Sequence, residues 1–217
     1  MKFERFVIGH DFRRADLAHS DNRALDPVGC SLRRHPRLRP ISTSSCYSRE
    51  TMTALADFPG YSGQALEELL ALDGQFETWT LVAAVEQGLS QRFGYGDSAD
   101  LTAAERAVLA VLALEREVMN GGYSQFFTNA SVEFAPMVVE ALKQIGCPKT
   151  ADLTSKAIET LQLAELTAET IKESAQTPDE VRDKLLDEYD QEFFKYEERP
   201  DLKLFAYIRK NNAAIRL

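Results

Sequence analysis

Residues 52–217 contain no histidine, because all three histidines of the 217-residue chain precede them. Cys147 is the only cysteine in the same segment. A Ser-His or Cys-His nucleophile pair and an ordinary His/Cys zinc site are therefore excluded from it. The chain also lacks the Gly-x-x-x-x-Gly-Lys-Ser/Thr and Gly-x-Gly-x-x-Gly loops that hold nucleotides. An enzyme built from these residues would have to rely on carboxylates, alone or with a hard metal ion.

The three cysteines, Cys30, Cys46 and Cys147, contain no Cys-x-x-Cys pair and are too few for a disulfide framework. Reduced thiols are typical of the cytoplasm, so we expect a cytoplasmic protein. No apolar run approaches the roughly eighteen residues of a membrane span. The N-terminus also lacks the continuous apolar segment of a secretory signal. We therefore expect neither membrane insertion nor secretion.

Charge is divided unevenly along the chain, whose formal net charge is −9. Residues 1–51 contain ten Lys/Arg and six Asp/Glu, a net of +4, whereas residues 52–217 contain fifteen and twenty-eight, a net of −13. Such an acidic segment disfavours nucleic acid or an anionic membrane as its direct ligand. A basic protein is the partner that this charge favours.

Residues 1–51 show no sustained apolar period and are expected to form an irregular extension. They could be a basic arm that binds nucleic acid, or an Arg- and Ser-rich organelle presequence. The interpretation we favour is that translation begins at Met52 and that the preceding residues are an upstream extension or a disordered tail. The sequence thus predicts two regions, an extension at 1–51 and an acidic helical domain at 52–217.

Apolar residues recur every three or four positions through the second region, and no stretch alternates as a strand does. This pattern predicts an all-α protein, a single bundle of about seven or eight helices. Trp79, the only tryptophan, is expected to pack in the core. The predicted helices cover residues 65–72, 76 to about 93, 103–119, 122–128, 134–145, 149–165 with a continuation through 167–174, 178–199 and 201–215.

A glycine-rich break interrupts the apolar pattern in the middle of the chain. Thr102 and Glu105 form a capping box that marks the start of the helix before it. Gly121 and Gly122, after Asn120, are residues that enter left-handed conformations cheaply, so they predict the end of that helix. An aromatic segment at helical spacing follows, made of Tyr123, Phe126 and Phe127.

The segment Glu115–Asn129 reads Glu-x-Glu-Val-x-Asn-Gly-Gly-Tyr-x-Gln-Phe-Phe-x-Asn. It resembles the signature of the DNA-mimic protein (DMP) C-terminal-domain family, a domain of largely unknown function. The similarity returns at 141–146, 186–194 and 207–211 and covers roughly residues 66–213. The family's best-known member is an acidic helical protein that occupies the DNA-binding surface of a transcription factor. The resemblance implies an acidic helical interaction protein without a general enzymatic activity.

Polar side chains gather at the glycine break, and they allow two interpretations. One is a carboxylate or metal-dependent enzyme centred on Glu115, Glu117 and Asn120. The other, which we favour, is structural: Gln125 and Asn129 bond free backbone groups at the turn, while the glutamates are solvated or ion-paired. The motif residues assigned this structural role are Glu117, Asn120, Gly121, Gly122, Tyr123, Gln125, Phe126, Phe127 and Asn129.

The predicted helix 178–199 carries acidic side chains on one sector about 100° wide. These candidate partner-binding residues are Asp179, Glu180, Asp183, Asp187, Asp190, Glu197 and Glu198. Its apolar face is predicted to hold Val181, Leu185, Leu186, Tyr189, Phe193 and Tyr196. Seven carboxylates along a helix of about 30 Å fall short of the charge density of duplex DNA. Further acids would have to join the same surface, such as Asp57, Glu67, Glu68, Asp73, Glu77, Asp97 and Asp100.

Together these observations predict an acidic protein-interaction module, a DNA mimic that occupies the basic surface of a DNA-binding regulator. An immunity-type protein that neutralises a basic toxin would use the same charge and remains an alternative, as does the carboxylate enzyme. We expect no cofactor, no metal, no direct contact with nucleic acid or membrane, and a monomer or homodimer.

Overall fold

The computed structural model describes residue 58, residues 60–93 and residues 100–217. The predicted extension at 1–51 and the proposed start at Met52 lie outside these residues. The described part is all-α, as predicted, with one isolated bridge between Asp73 and Phe76 and no strand. Its helices are α1 (Leu66–Leu70), α2 (Thr78–Phe93), α3 (Ala103–Thr128), α4 (Ala135–Ile145), α5 (Pro148–Glu159), α6 (Ala168–Gln176), α7 (Glu180–Phe193) and α8 (Pro200–Lys210). Short 3-10 segments lie at Ala130–Phe134 and Asn212–Ala214.

Helix α3 is the central element, and it packs against α2, α4, α6, α7 and α8. Its start is the predicted capping box: Thr102 Oγ1 accepts from the backbone N–H of Glu105 at 3.1 Å, and the Glu105 carboxylate accepts from that of Thr102 at 2.7 Å. Apolar side chains that recur every three or four residues along this helix are buried, including Val108, Val111 and Val118. Burial of one continuous apolar stripe is the main source of stability for such a helix.

The glycine break divides α3 into the two helical arms that the sequence predicted, joined by a kink at Gly121 and Gly122. Gly121 and Gly122 have non-helical backbone angles, and Gly122 has a φ of 76° and a ψ of −178°. The prediction of a positive φ at one of these glycines is confirmed. Tyr123, Phe126 and Phe127 then resume the helix with fully buried side chains. The aromatic turn after the kink therefore lies in the core.

Local signals placed other helix boundaries correctly. Gly146 adopts the left-handed conformation after α4 with a φ of 88°, and Pro148 is the first residue of α5. The predicted continuation of the next helix beyond residue 159 is wrong, because α5 ends at Glu159 and α6 begins after Thr167. Thr167 caps α6 by accepting from the backbone N–H of Thr170 at 3.2 Å.

The predicted helix 178–199 is shorter than expected and ends at Phe193. Tyr196 and Arg199 then take left-handed backbone angles, each with a φ of 51°, and α8 starts at Pro200. This turn removes Glu197 and Glu198 from the helix, so the sector of seven acids on one helix is not formed. The turn contains no glycine, so no local sequence signal indicated that α7 ends at Phe193.

Two predictions of burial are wrong. Trp79 is 57% exposed, so it is not a core residue. On α7, Val181 is 73% exposed and Leu185 is 36% exposed, whereas Arg182 is buried with Leu186 and Phe193 on the neighbouring sector, about 100° round the helix. The buried stripe of α7 is rotated from the predicted one because it includes an arginine. That guanidinium donates to the carbonyl oxygens of Ser174 and Thr177 at 2.7 and 2.6 Å.

Among the described residues, no helix combines the length and the apolar character needed to cross a membrane. The same part of the chain contains no group of three or more His, Cys, Asp or Glu side chains placed to hold a metal ion.

Candidate functional site

The polar corner at the kink is organised around Glu117. Its buried carboxylate accepts hydrogen bonds from Gln125 Nε2 at 2.7 Å, Asn129 Nδ2 at 2.8 Å and Ser131 Oγ at 2.8 Å. Burial alone would raise the pKa of Glu117, but these hydrogen bonds and the nearby Arg116 guanidinium lower it below its ordinary value. Glu117 is therefore held ionised inside the corner.

This geometry corrects the expected partners of the two amides. Gln125 and Asn129 were expected to bond backbone groups, but both donate to Glu117. Ser131, the third donor, was not anticipated, since it lies in the 3-10 segment after α3 and no spacing rule links it to Glu117. The corner is a hydrogen-bond network that satisfies a buried carboxylate, which is a structural role.

Glu115 lies in a different environment although it is only two residues away. Its partner is the hydroxyl of Tyr196, which donates to Glu115 Oε1. Burial raises the pKa of Glu115 to about 7; the Tyr196 hydrogen bond opposes this shift, and the negative charges of Asp201 and Glu86 add to it. Glu115 and Glu117 thus do not form a carboxylate pair.

The enzyme interpretation required a cleft converging on Glu117, Asn120 and Gln125. Asn120 is exposed, and the other two side chains bond each other inside the corner. A half-open cleft of about 470 Å³ lies between α5 and α7, and none of these three residues lines it. The residues that line this cleft are Lys149, Thr150, Asp152, Leu153, Lys156, Tyr189, Glu192, Phe193, Tyr196, Glu197, Glu198 and Pro200.

Two of the seven acidic candidates accept hydrogen bonds from backbone N–H groups and so hold the backbone in place. Asp179 is the N-cap of α7, and one of its carboxylate oxygens accepts from the backbone N–H groups of Val181 and Arg182 at 3.0 Å each. Asp190 accepts from the backbone N–H of Tyr123 at 2.9 Å and thereby ties α7 to the kink of α3. Burial raises the pKa of Asp190, with Asp187 adding to the shift and the Tyr123 hydrogen bond opposing it.

The two acids beyond α7 also have local partners. Glu198 accepts from the backbone N–H groups of Lys149 and Thr150 at 3.1 and 2.7 Å, and from Thr150 Oγ1 at 2.9 Å. It therefore satisfies the first free amides of α5. Glu197 forms an exposed ion pair with Lys149 Nζ at 3.1 Å. Both residues stabilise the turn after α7.

Glu180, Asp183 and Asp187 remain as the outer acidic face. All three are exposed. Because an α-helix advances about 100° per residue, they lie within a sector about 60° wide. Asp183 also accepts from the buried Arg182 at 3.0 Å, while Glu180 and Asp187 form no hydrogen bond or ion pair within the described part of the chain. Lys184 borders this face.

The spacing of these three carboxylates can be compared with DNA. The helical rise places Glu180 and Asp187 about 10 Å apart along the axis of α7. One strand of a duplex presents a phosphate about every 3.4 Å along its axis, or about three over the same length. The three carboxylates are spaced about 4.5 and 6 Å along the axis, so their charge density is lower than that of one strand and lower still than that of the duplex.

Some of the further acids that the sequence suggested are also engaged. Glu68 accepts from the backbone N–H of Ala65, the N-cap residue of α1, at 2.9 Å, and Asp73 pairs with Arg209. Asp57 and Asp97 lie outside the described residues. Charge count alone therefore overstates the acidic surface available to a partner.

One family model, described as DMP19-like protein, matches residues 99–211. The match extends from just before α3 to just after α8, so it contains both the polar corner and the outer acidic face. No curated protein and no solved structure matches the chain.

Proposed function

The chain belongs to the DMP19-like protein family, and from this premise we propose that it is a protein-interaction module acting as a DNA mimic. In this proposal the acidic domain occupies the basic surface with which a DNA-binding regulator contacts DNA. The partner is a basic protein, and neither nucleic acid nor membrane is a direct ligand.

The observation that carries the proposal is the outer acidic face. Glu180 and Asp187 are exposed carboxylates that bind no other residue in the described part of the chain, and with Asp183 they place three negative charges on one side of α7. The net charge of −13 over residues 52–217 adds a long-range field that attracts a basic protein. The exposed carboxylates on α7 and the long-range field of the whole segment thus favour the same class of partner, a basic protein.

A capture experiment with DNA elution tests the proposal. The full chain is immobilised, exposed to an extract of the source cells at low salt, and then washed with short duplex DNA. A mimic and DNA compete for one surface, so the captured protein should be released by DNA and should itself bind duplex DNA. Its affinity for the immobilised chain should also fall steeply as salt rises.

The outer acidic face is tested in the same assay by the combined substitutions Glu180→Gln, Asp183→Asn and Asp187→Asn. The matched control is Glu67→Gln, Glu140→Gln and Glu169→Gln, which removes equal charge from exposed positions on α1, α4 and α6. We expect the first variant to lose most of the DNA-releasable capture and the control to keep most of it. If both variants lost capture equally, the effect would come from net charge. If both variants kept capture, the outer acidic face would not be the binding surface.

A further inference from the structure

The turn between α7 and α8, residues 194–199, contains two unfavourable backbone conformations. Tyr196 and Arg199 each have a φ of 51° although both carry a Cβ. Left-handed backbone angles cost free energy at residues other than glycine and persist only where surrounding contacts enforce them. The conformation of this α7–α8 turn therefore depends on the contacts that its side chains make with the rest of the fold.

Two half-buried side chains attach the α7–α8 turn to other helices. The Tyr196 hydroxyl donates to the carboxyl group of Glu115 on α3, and Glu198 accepts from the first two backbone N–H groups of α5 at 3.1 and 2.7 Å. Arg199 pairs with Asp201 at 2.8 Å, which reaches only the start of α8. Within the described part of the chain, the Tyr196 bond is thus the one side-chain hydrogen bond from the turn to the central helix.

The carboxyl group of Glu115 has no cation as a partner among the described residues. Its side chain is half-buried, and the acids Glu86 and Asp201 lie near it. Each of these acids has its own arginine, because Arg116 pairs with Glu86 and Arg199 pairs with Asp201. The titratable and charged groups in and around this position are Glu86, Arg116, Cys147, Tyr196, Glu198, Arg199, Asp201 and Lys203. An ionised Glu115 therefore depends on the Tyr196 hydroxyl for stabilisation.

The proton affinity of Glu115 differs between an attached and a detached turn. With the turn attached, burial raises the pKa of Glu115 to about 7; the Tyr196 hydrogen bond opposes the shift, and Asp201 and Glu86 add to it. With the turn detached, the carboxyl group meets water and its pKa returns toward the ordinary value of 4.5. The attached state binds the proton more tightly, so it is favoured at low pH and is weakened as pH rises from 4.5 through about 7.

We propose that the α7–α8 turn is a pH-sensitive latch, in which ionisation of Glu115 releases Tyr196 and detaches the turn from α3. The proton leaves to solvent, and the carboxylate is hydrated in the detached state. Tyr196, Glu197 and Glu198 also line the cleft between α5 and α7, so detachment widens that cleft and frees the first backbone N–H groups of α5. Protonation of Glu115 restores the attached turn. This latch is independent of the proposed DNA mimicry.

Amide hydrogen exchange of the full chain, followed by mass spectrometry at pH 5, 6, 7 and 8, measures the latch. The rates are corrected for the intrinsic pH dependence of exchange, which leaves the protection that the fold provides. Protection of residues 194–199 should fall by about fivefold or more between pH 5 and pH 8, and by about seventyfold if the pKa of Glu115 moves fully from about 7 to 4.5. A smaller fall would overturn the inference.

The turn at residues 160–167 is the control within the same protein. It contains Gln162, which also has a left-handed φ of 50°, and the uncharged Ser174 Oγ donates to its Leu161 carbonyl oxygen at 3.1 Å. Its protection should change little with pH. An equal fall in both turns would mean that the whole fold loosens, and the inference of a local latch would be wrong.

Two variants separate the titration of Glu115 from its contact with Tyr196. Glu115→Gln keeps an oxygen for the Tyr196 hydroxyl but does not titrate, so protection of residues 194–199 should become independent of pH. Glu140→Gln makes the same chemical change at an exposed position on α4 and should keep the natural pH dependence. Tyr196→Phe should lower the protection by about threefold to tenfold already at pH 5, because it removes the hydrogen bond itself. A pH dependence that survives in Glu115→Gln would overturn the inference.

The carbon-13 signal of the Glu115 carboxyl group in the natural protein gives a check that needs no variant. The midpoint of its titration should lie near 7, where the fall in protection levels off. A midpoint near the ordinary value of 4.5 would show that the attached turn does not favour the protonated carboxyl, and there would be no latch.

Discussion

Glu115 and Glu117 show how two carboxyls of one helix acquire opposite properties from their surroundings. Glu117 receives three hydrogen bonds that favour its charged form, whereas Glu115 receives one, from Tyr196, in a half-buried position near other acids. Hydrogen bonds to a carboxylate lower its pKa and desolvation raises it. Because the two side chains point to different parts of the fold, stability should depend on pH differently at each.

Glu115→Gln should remove a loss of stability that the natural protein suffers as pH rises. The folded-state pKa of Glu115, about 7, exceeds its ordinary value of 4.5, so the folded state binds more protons between these values. Stability therefore falls across that window as pH increases. Glutamine keeps an oxygen for the Tyr196 hydroxyl but does not titrate. Urea unfolding at pH 5, 6 and 8 should show the stability of the variant rising relative to that of the natural protein as pH increases. A constant difference between the two free energies of unfolding across these pH values would refute this.

Glu117→Gln should have the reverse effect. The folded-state pKa of Glu117 is lowered, so its contribution is present above its ordinary pKa and is lost as pH falls through the folded value. The amide group of a glutamine would also face the donors of Gln125 and Asn129. We expect a loss of about 1–3 kcal/mol in the free energy of unfolding at pH 7. The same measurement at pH 3 should show a smaller loss, and an equal loss at both would contradict the electrostatic account.

At the scale of elements, the kink in α3 depends on Gly122. A Cβ at this position would lie 2.0 Å from Asp190 Oδ2, the carboxylate that bonds Tyr123 N–H. Its backbone angles, φ 76° and ψ −178°, lie in a region adopted almost only by glycine. At Gly121, where φ is negative, the obstructing atoms belong to the Gln125 side chain, which would have to shift while donating to Glu117. The two glycines therefore have different constraints.

Gly122→Ala should destabilise the fold by about 1–3 kcal/mol or more, and Gly121→Ala by less. The comparison is made by thermal and urea unfolding of both variants. Gly122→Ala is then repeated with Asp190→Ala, which removes the obstructing carboxylate but leaves the backbone strain. We expect the glycine substitution to remain costly in that background. If Gly122→Ala did not lower stability in the Asp190→Ala background, the constraint would come from the side-chain contact alone.

The aromatic turn after the kink carries a separate prediction. Phe126 and Phe127 are fully buried, and their ring centroids lie 5.7 Å apart. Replacing either one with alanine should lower the free energy of unfolding by about 3–5 kcal/mol, through lost burial and the cavity left behind. Ser124, exposed in the same turn, is the control position, and Ser124→Ala should change stability little.

Local signals in the sequence predicted the elements well, and tertiary contacts explain what was missed. Thr102 with Glu105 marked the start of α3, and Gly146 marked the end of α4, because capping and left-handed residues act within one turn. The end of α7 carried no such residue. Glu115 and Thr150 hold the turn after it, through Tyr196 and Glu198 respectively. Contacts between residues so distant in sequence leave no periodic pattern.

The candidate surface was predictable only in part for the same reason. Spacing placed Glu180, Asp183 and Asp187 on one side of a helix, and the structure keeps them exposed there. Spacing could not show that Asp190 is needed by Tyr123 N–H or that Glu198 is needed by α5. A buried arginine, Arg182, also rotated the apolar stripe and left Val181 exposed.

At the scale of the whole molecule, a protein beginning at Met52 should retain the stability of the full chain. Residues 1–51 are basic and lack an apolar period, whereas the family match starts only at residue 99. Thermal unfolding of both proteins measures this. A decrease in the midpoint of more than a few degrees, which corresponds to about 1 kcal/mol in a domain of this size, would show that the extension contributes to the fold.

Net charge supplies the last prediction, because it separates acids that attract a partner from acids that hold the fold. Neutralising Glu180, Asp183 and Asp187 removes exposed like charges but also takes two acids from the first turn of α7, and Asp183→Asn keeps an oxygen for the Arg182 guanidinium. Stability should therefore change by less than about 1 kcal/mol while DNA-releasable capture is lost. Asp190→Ala removes one charge but leaves the buried Tyr123 N–H without its acceptor, which should cost about 1–3 kcal/mol. Urea unfolding of both variants, alongside capture, makes the comparison. Similar destabilisation by both would mean that the outer acidic face is part of the scaffold, and the binding assay could not then be interpreted as a surface effect.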